Sequence, residues 1–281
     1  MGKFDGLLLV SDFDDTLYDS HHRIPERNLR AIRGFIAGGG RFTVATGRTH
    51  RTFAPYLHLA PVNAPVVLSN GAAIYDFGAD RMLEQTMLGP EAREDFLELA
   101  RRFPSLGMET DYGEDIYVWN PNEITLAHLK KVGCDYTRCP IGEMPTPWIK
   151  GLLHQQHDVL LQVQAFILER WPERYEAIFS NPYYLEITAK GSTKGGMVVK
   201  VAQMLDIRPE HVYCVGDNQN DIPMLALSAI PFAPANCARE VKDWGARVLC
   251  HCDEGVIGDI VDILDKRYQN NESGSPSVRD Q

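Results

Sequence analysis

The stretch Val10-Ser-Asp-Phe-Asp-Asp-Thr-Leu-Tyr-Asp-Ser20 sets Asp12, Asp14 and Asp15 within four positions, with Asp19 close behind. It directly follows the apolar run Leu7-Leu8-Leu9-Val10. A short continuous apolar run suits a parallel strand buried on both faces. Carboxylates crowded at the end of such a strand repel one another and raise each other's pKa. The repulsion must be offset by a bound cation, by a nearby Lys or Arg, or by solvent. In open α/β sheets, ligands bind beyond the carboxyl ends of the strands, which is where this cluster falls.

The pattern downstream fits such a sheet. Pro25 opens a helical stretch with Leu29, Ile32, Phe35 and Ile36 on one face, and Gly38-Gly39-Gly40 ends it. Phe42 to Ala45 reads as the next strand, followed by Thr46-Gly47-Arg48. A short helical stretch to about Leu57 leads to a third strand, Pro65 to Leu68. This alternation predicts an α/β chain with a Rossmann-like, doubly wound parallel sheet. Asn70-Gly71, between two apolar runs, is a hairpin signal. After about residue 86 the alternation breaks down. Pro90 to Phe103 predicts a helix, and Asp158 to Phe166 reads as a half-exposed strand. A further helix punctuated by Pro172 and a strand from Tyr184 to Thr188 follow.

The parallel pattern resumes after Lys190-Gly191-Ser192-Thr193, with a helix over Met197 to Leu205 and a strand from His211 to Val215. The expected architecture is a discontinuous core, 1–86 with 189–268, interrupted at 87–188 by a smaller α+β domain. Residues 269–281 are polar and expected to be a disordered tail.

The formal net charge of −10 argues against a nucleic-acid or anionic-membrane partner. No segment is long enough to span a bilayer, and the N-terminus, with Asp5 and four consecutive apolar residues, does not read as a signal peptide. A cytoplasmic protein, monomer or homodimer, is expected. Its six cysteines form no C-x-x-C pair and read as reduced structural thiols; Cys250-His251-Cys252 is too short a pattern to argue for metal.

Four polar clusters fall at predicted strand ends or helix starts: Asp12-Phe-Asp14-Asp15-Thr16, Thr46-Gly47-Arg48, Lys194-Gly195-Gly196 and Gly216-Asp-Asn-Gln-Asn-Asp221. Each alone has a plainer reading as a turn, a cap, a loop or a solvated lysine. Their order and placement together resemble the motifs of the haloacid dehalogenase superfamily, and within it the Cof-type phosphatases of subfamily IIB. The resemblance covers nearly all of residues 5–268 and includes Ser69-Asn70-Gly71-Ala72 and Pro234-Ala235-Asn236. Two positions depart from the family pattern: Asp15 and Pro234 stand where relatives most often carry Gly.

The resemblance implies a Mg²⁺-dependent hydrolase that transfers phosphate through an aspartyl-phosphate, with 87–188 acting as a mobile cap that sets substrate specificity. By the same resemblance Asp12 is the nucleophile and Asp14 the general acid–base. Asp12, Asp14 through its carbonyl, Asp217 and Asp221 serve the metal. Lys194, Thr46, Gly47 and Asn220 hold phosphate. Arg48 is left open between substrate contact and a structural ion pair, and Asn70 and Asp15 are expected to be structural. Hinges are expected near Met87–Gly89 and Ala189–Thr193. Glu114, Asp115, Asn120 and Glu186 are candidate substrate contacts more readily explained as solvated or capping residues, and Trp119, Trp148 and Trp171 as cap core. The expected substrate is a small phosphorylated metabolite, a sugar phosphate or a phosphorylated cofactor. A phosphomutase or phosphotransferase of the same family is the nearest alternative. A non-catalytic phosphometabolite sensor is disfavoured because Asp12 and Asp14 are both present.

Overall fold

The structure is a computed structural model that describes residues 2–269. The expected tail, apart from Gln269, lies outside the described residues. The chain begins with β1 (Leu8–Ser11), α1 (Glu26–Ala37), β2 (Arg41–Val44), α2 (His50–Phe53), β3 (Val66–Leu68), β4 (Ala73–Asp76) and β5 (Arg81–Gln85). It continues through α3 (Ala92–Arg102), β6 (Gly107–Tyr112), β7 (Asp115–Trp119), α4 (Glu123–Val132) and β8 (Tyr136–Arg138). Next come β9 (Gly151–His154), α5 (His157–Arg170), β10 (Tyr175–Asn181) and β11 (Tyr184–Ala189). It closes with α6 (Lys194–Met204), β12 (Val212–Val215), α7 (Ile222–Leu225), β13 (Pro231–Ala233), α8 (Arg239–Trp244), β14 (Arg247–Val248) and α9 (Val256–Gln269).

The core sheet has the order β14-β13-β12-β1-β2, with parallel pairing throughout. The continuous apolar run at β1 is explained by its two covers. Leu7 and Leu9 pack with Ile32 and Phe35 of α1 and with Ile257 and Ile260 of α9. Leu8 and Val10 pack with Val198 and Val201 of α6 and with Met224 of α7. Strand alternation sends successive side chains to opposite faces, so a doubly wound strand has no polar face to show. Full burial of each such side chain stabilises by about 1.5–3 kcal/mol.

A small antiparallel sheet, β3-β4-β5, adjoins the core sheet: Val67 bridges Ala45 just beyond β2, and Val66, Leu68 and Ile74 are buried in the core. The hairpin expected at Asn70-Gly71 is there, closed by a single 3₁₀ turn over Ser69–Gly71. Gly71 sits at φ +97°, and a Cβ added there would lie 2.2 Å from the Thr193 backbone. The turn is therefore packed against the start of α6. Gly71→Ala is expected to cost at least about 1–2 kcal/mol, read as a fall in the urea midpoint at unchanged slope; an unchanged midpoint would show that the turn yields freely.

The inserted α+β cap carries a six-stranded sheet, β10-β11-β9-β6-β7-β8. One face is apolar: Met108, Leu153, Leu185 and Ile187 pack against Phe96 and Leu99 of α3 and Leu160, Val163 and Ile167 of α5. Trp148 and Trp171 are buried in this cluster, and Trp119 packs against it. The other face is polar along the alternate positions of β6, β9 and β11. Helix α4 lies on that side, with Leu129 against Ile116 and Val118, so helices cover both faces of the cap sheet.

The strand expected over Asp158–Phe166 instead lies within α5, from its second residue on. Leu160, Val163 and Ile167 are its buried residues, at the helical spacing of three and four; the apparent alternation came from Gln162 and Gln164 between Leu161, Val163 and Ala165. Strand β10, which the sequence did not reveal, follows it.

Candidate active site

The register of three neighbouring strands builds the site. Ser11 at the end of β1 pairs with Val44 of β2 and Val215 of β12. The next residues, Asp12, Ala45 and Gly216, leave the same sheet edge. Asp12 stays in line because its N–H donates to the Val215 carbonyl at 2.9 Å. Alternation then splits the acidic motif. Phe13 turns into the core, stacked on Tyr18 and edge-on to Phe53, while Asp12 and Asp14 project from the sheet edge.

Lys194 is the first residue of α6, whose N-cap Thr193 accepts from the Gly196 N–H. Only 1% exposed, it donates to Asp12 at 2.5 Å and to Asp221 at 2.6 Å. Asp221 is fully buried, and its other oxygen accepts from the N–H groups of Asp217 and Asn218 at 2.9 and 3.0 Å. One carboxylate thus ties the loop after β12 to the lysine. Asp217 is half-buried and accepts from the Thr16 hydroxyl at 3.2 Å.

Carboxylate oxygens of Asp12, Asp217 and Asp221 lie within 4.8 Å of one another. Burial pushes the Asp12 carboxyl up to about 7, with Lys194 opposing the shift and Asp221 adding to it. Burial also raises Asp217, reinforced by Asp12 and Asp221. For Lys194, burial favours the neutral amine, but Asp12 and Asp221 outweigh it and hold the ammonium above its ordinary value. Three carboxylates with one ammonium leave an excess of negative charge in a largely buried site. An all-oxygen donor set of that kind fits a hard divalent cation such as Mg²⁺.

The loop after β2 completes the core side of the site. The buried Thr46 hydroxyl accepts from the Arg48 N–H at 3.1 Å, and the Thr46 carbonyl accepts from the Asn70 N–H. Asn220 donates to the Asn70 side chain at 3.0 Å, while Asn220 Oδ1 and Asn70 Nδ2 are buried without partners. Arg48 forms a two-pronged pair with Asp14, 2.8 Å from Nε and 2.7 Å from Nη2, and lies 4.3 Å from the Tyr56 ring centroid. Of the two readings left open for Arg48, the structure shows the ion pair. Asp15 holds φ 60°, the left-handed region that Asp tolerates better than most residues. Its carbonyl accepts from Asn236, the Asn of the late Pro-Ala-Asn stretch. Asp19 accepts from two N–H groups and from Arg23, a local structural role.

A cavity of about 220 Å³ separates these groups from the polar face of the cap. Its cap wall includes Glu109, Asp111, His128, Lys150, Tyr184 and Glu186. Lys150 is buried, donates to Glu186 at 3.0 Å, and crosses to the core to donate to the Gly47 carbonyl at 3.1 Å. Burial pushes Asp111 up to about 7, with Lys150 opposing and Glu109 and Glu186 adding. Of the cap candidates named from sequence, Glu186 lines this wall. Glu114 pairs with His50 at 2.7 Å, Asp115 meets Arg51 at 3.7 Å, and Asn120 donates to two nearby carbonyls.

Sequence reasoning missed Lys150, Asp111, Glu109 and His128. A signal existed in Met108-Glu-Thr-Asp-Tyr112 and Lys150-Gly-Leu-Leu-His154, where polar residues recur at every second or fourth position of a strand. It was invisible as a site because the strands are far apart in sequence and meet only through sheet order.

The sequence profile described as haloacid dehalogenase-like hydrolase matches residues 9–260. A 5-amino-6-(5-phospho-D-ribitylamino)uracil phosphatase of Bacillus subtilis is 24% identical over 285 residues, covering 91% of this chain and 97% of that one. An HMP-PP phosphatase of Serratia proteamaculans is 23% identical, covering 89% and 92%. Among solved structures, a sugar phosphatase of haloacid dehalogenase subclass IIB superposes with a TM-score of 0.80 at 21% identity, covering 92% of this chain and 98% of that one.

Proposed function

Because the chain belongs to the haloacid dehalogenase-like hydrolases, we propose that it is a Cof-type, Mg²⁺-dependent phosphatase that hydrolyses a small phosphorylated metabolite through an aspartyl-phosphate on Asp12. The observation that carries this reading is the buried Lys194 ammonium, clamped between Asp12 and Asp221 at the end of the central strands. It leaves one oxygen of Asp12 free to face the cavity.

In the first half-reaction an Asp12 oxygen attacks phosphorus and the bond to the leaving oxygen breaks. Asp14 gives that oxygen a proton. In the second, Asp14 takes a proton from water, the water oxygen attacks phosphorus, and Asp12 is released as a carboxylate. General acid–base assistance of this type is worth about 10²–10⁴-fold. Both Asp14 oxygens accept from Arg48 in the structure, so the acid role requires the side chain to turn away from Arg48. Asp12, Asp217 and the Asp14 carbonyl would hold Mg²⁺, with Asp221 orienting its surroundings. The ion would supply positive charge where two anions must meet. Lys194 neutralises Asp12 and the transferring oxygens. Thr46, Gly47 and Asn220 hold the phosphate.

The cap sheet closes the cavity and meets the leaving group. The named relatives act on a phosphorylated ribitylaminouracil and on HMP-PP, which supports a phosphorylated metabolite of modest size here. The test is phosphate release across a panel of phosphorylated sugars, polyols and cofactor precursors, with and without Mg²⁺. Release that requires Mg²⁺ supports the proposal. Phosphate that only changes position on a substrate, without release, would replace it by a mutase.

Mg²⁺ is also expected to stabilise the fold, by about 2.7 kcal/mol at a hundredfold excess over its Kd. The rise in melting temperature should be largely lost in Asp217→Asn. An equal rise in the variant would place the ion elsewhere.

A further inference from the structure

Three side chains on the polar face of the cap have no part in the phosphate chemistry: Glu109 on β6, His128 on α4 and His154 at the end of β9. One ligand atom from each lies within 4.8 Å of the other two. His154 is fully buried, and neither of its ring nitrogens has a hydrogen-bond partner. Glu109 Oε2 is likewise buried without a hydrogen-bond partner, 3.7 Å from His128 Nε2. A buried polar atom left without a partner costs about 1–3 kcal/mol. Two of the three residues, His154 and Glu109, bring such atoms to the cluster.

The scaffold around them is fixed. Register places Gly107 opposite His154 and Glu109 opposite Leu152, so Glu109 and His154 project from the same face. The N-cap of α4, Asn122, accepts from the Thr125 N–H and donates to the His154 carbonyl at 2.8 Å. That bond seats α4 over the strand and brings His128 to the cluster. Tyr184 closes one side, its ring centroid 4.9 Å from His128 and 5.1 Å from His154.

We propose that Glu109, His128 and His154 form a second metal site, in the cap, for a borderline transition-metal ion of the zinc class. Two imidazoles and one carboxylate make a donor set suited to such ions, with coordination positions left open. Mg²⁺, which prefers oxygen and keeps its waters, is a poor match. Glu109 and His128 line the cavity, so the open positions face the substrate's leaving group. The same wall carries Asp111 and Glu186 opposite Lys150 alone among its buried cations, and a divalent ion would relieve that excess of negative charge. Burial drives His154 well below its ordinary value, so it is neutral, as a ligand must be.

The experiment is Co²⁺ binding to the full chain after chelator treatment, followed by visible absorption, in the Asp217→Asn background that weakens the core site. One equivalent of Co²⁺ should bind, be displaced by Zn²⁺, and resist excess Mg²⁺. His128→Ala, on a helix surface and 17% exposed, should keep the fold by circular dichroism and weaken binding by more than tenfold. Glu109→Gln should do the same. Folded protein that takes up no Co²⁺ would overturn the proposal. So would uptake unchanged by His128→Ala. A thiolate charge-transfer band would also overturn it, by assigning the ion to the His251-Cys252-Asp253 cluster.

Discussion

Asp12→Asn is expected to lower turnover by about 10⁴–10⁶-fold, the scale of losing a covalent nucleophile. The amide keeps the shape of the side chain and removes its charge. Lys194 remains paired with Asp221 at 2.6 Å, so the variant should fold. Its melting temperature without metal should equal or exceed that of the wild type, because a buried carboxyl raised to about 7 is replaced by a neutral group. The measurement is Mg²⁺-dependent phosphate release beside thermal unfolding. Turnover within tenfold of the wild type would remove Asp12 from the chemistry, whereas a collapse of stability would leave the lost activity to misfolding.

The second large effect belongs to Lys194→Met. The substitution fills much of the same volume with an apolar chain and leaves Asp12 and Asp221 buried without their ammonium. Breaking a buried pair by removing one partner costs about 3–5 kcal/mol. Activity should fall with it. Mg²⁺ should recover part of the stability and little of the activity, because added cationic charge restores compensation but not the lysine's donors. Urea unfolding with and without Mg²⁺ checks this. A loss below about 1 kcal/mol, the range of exposed pairs, would mean that water already screens the site.

These effects trace to residues whose importance could be read from sequence, and the reasons are local. Leu7 to Val10 could only be a strand covered on both sides, and the acidic motif, Thr46-Gly47-Arg48 and Gly216-Asp217 each stand immediately beyond a strand. Where strand ends fix geometry, order along the chain is nearly order in space. The cap is different. Asp158 to Phe166 satisfies both a period of two and a helical period, and only the packing of Leu160, Val163 and Ile167 chose between them. Lys150 and Glu186 are 36 residues apart and meet through the pairing of β9 with β11. The pair between Arg48 and Asp14, two motifs 34 positions apart, was not legible because each motif carried its own plausible partner.

The polar contacts that link cap to core have a consequence for timing. Lys150 reaches the Gly47 carbonyl, and Glu114 meets His50 and the Arg51 guanidinium. Both contacts land on the same short stretch that carries Arg48 and thereby Asp14. Under the proposed mechanism, opening of the cap and release of Asp14 from Arg48 would pull on one segment of chain, and the two motions are expected to be coupled. The two latches also answer to different conditions. The inner one, from the buried Lys150 to Gly47, is shielded from salt, while the outer one includes the exposed Arg51–Asp115 pair, which salt screens. Ionic strength is therefore expected to weaken the outer contact and to leave the inner one in place.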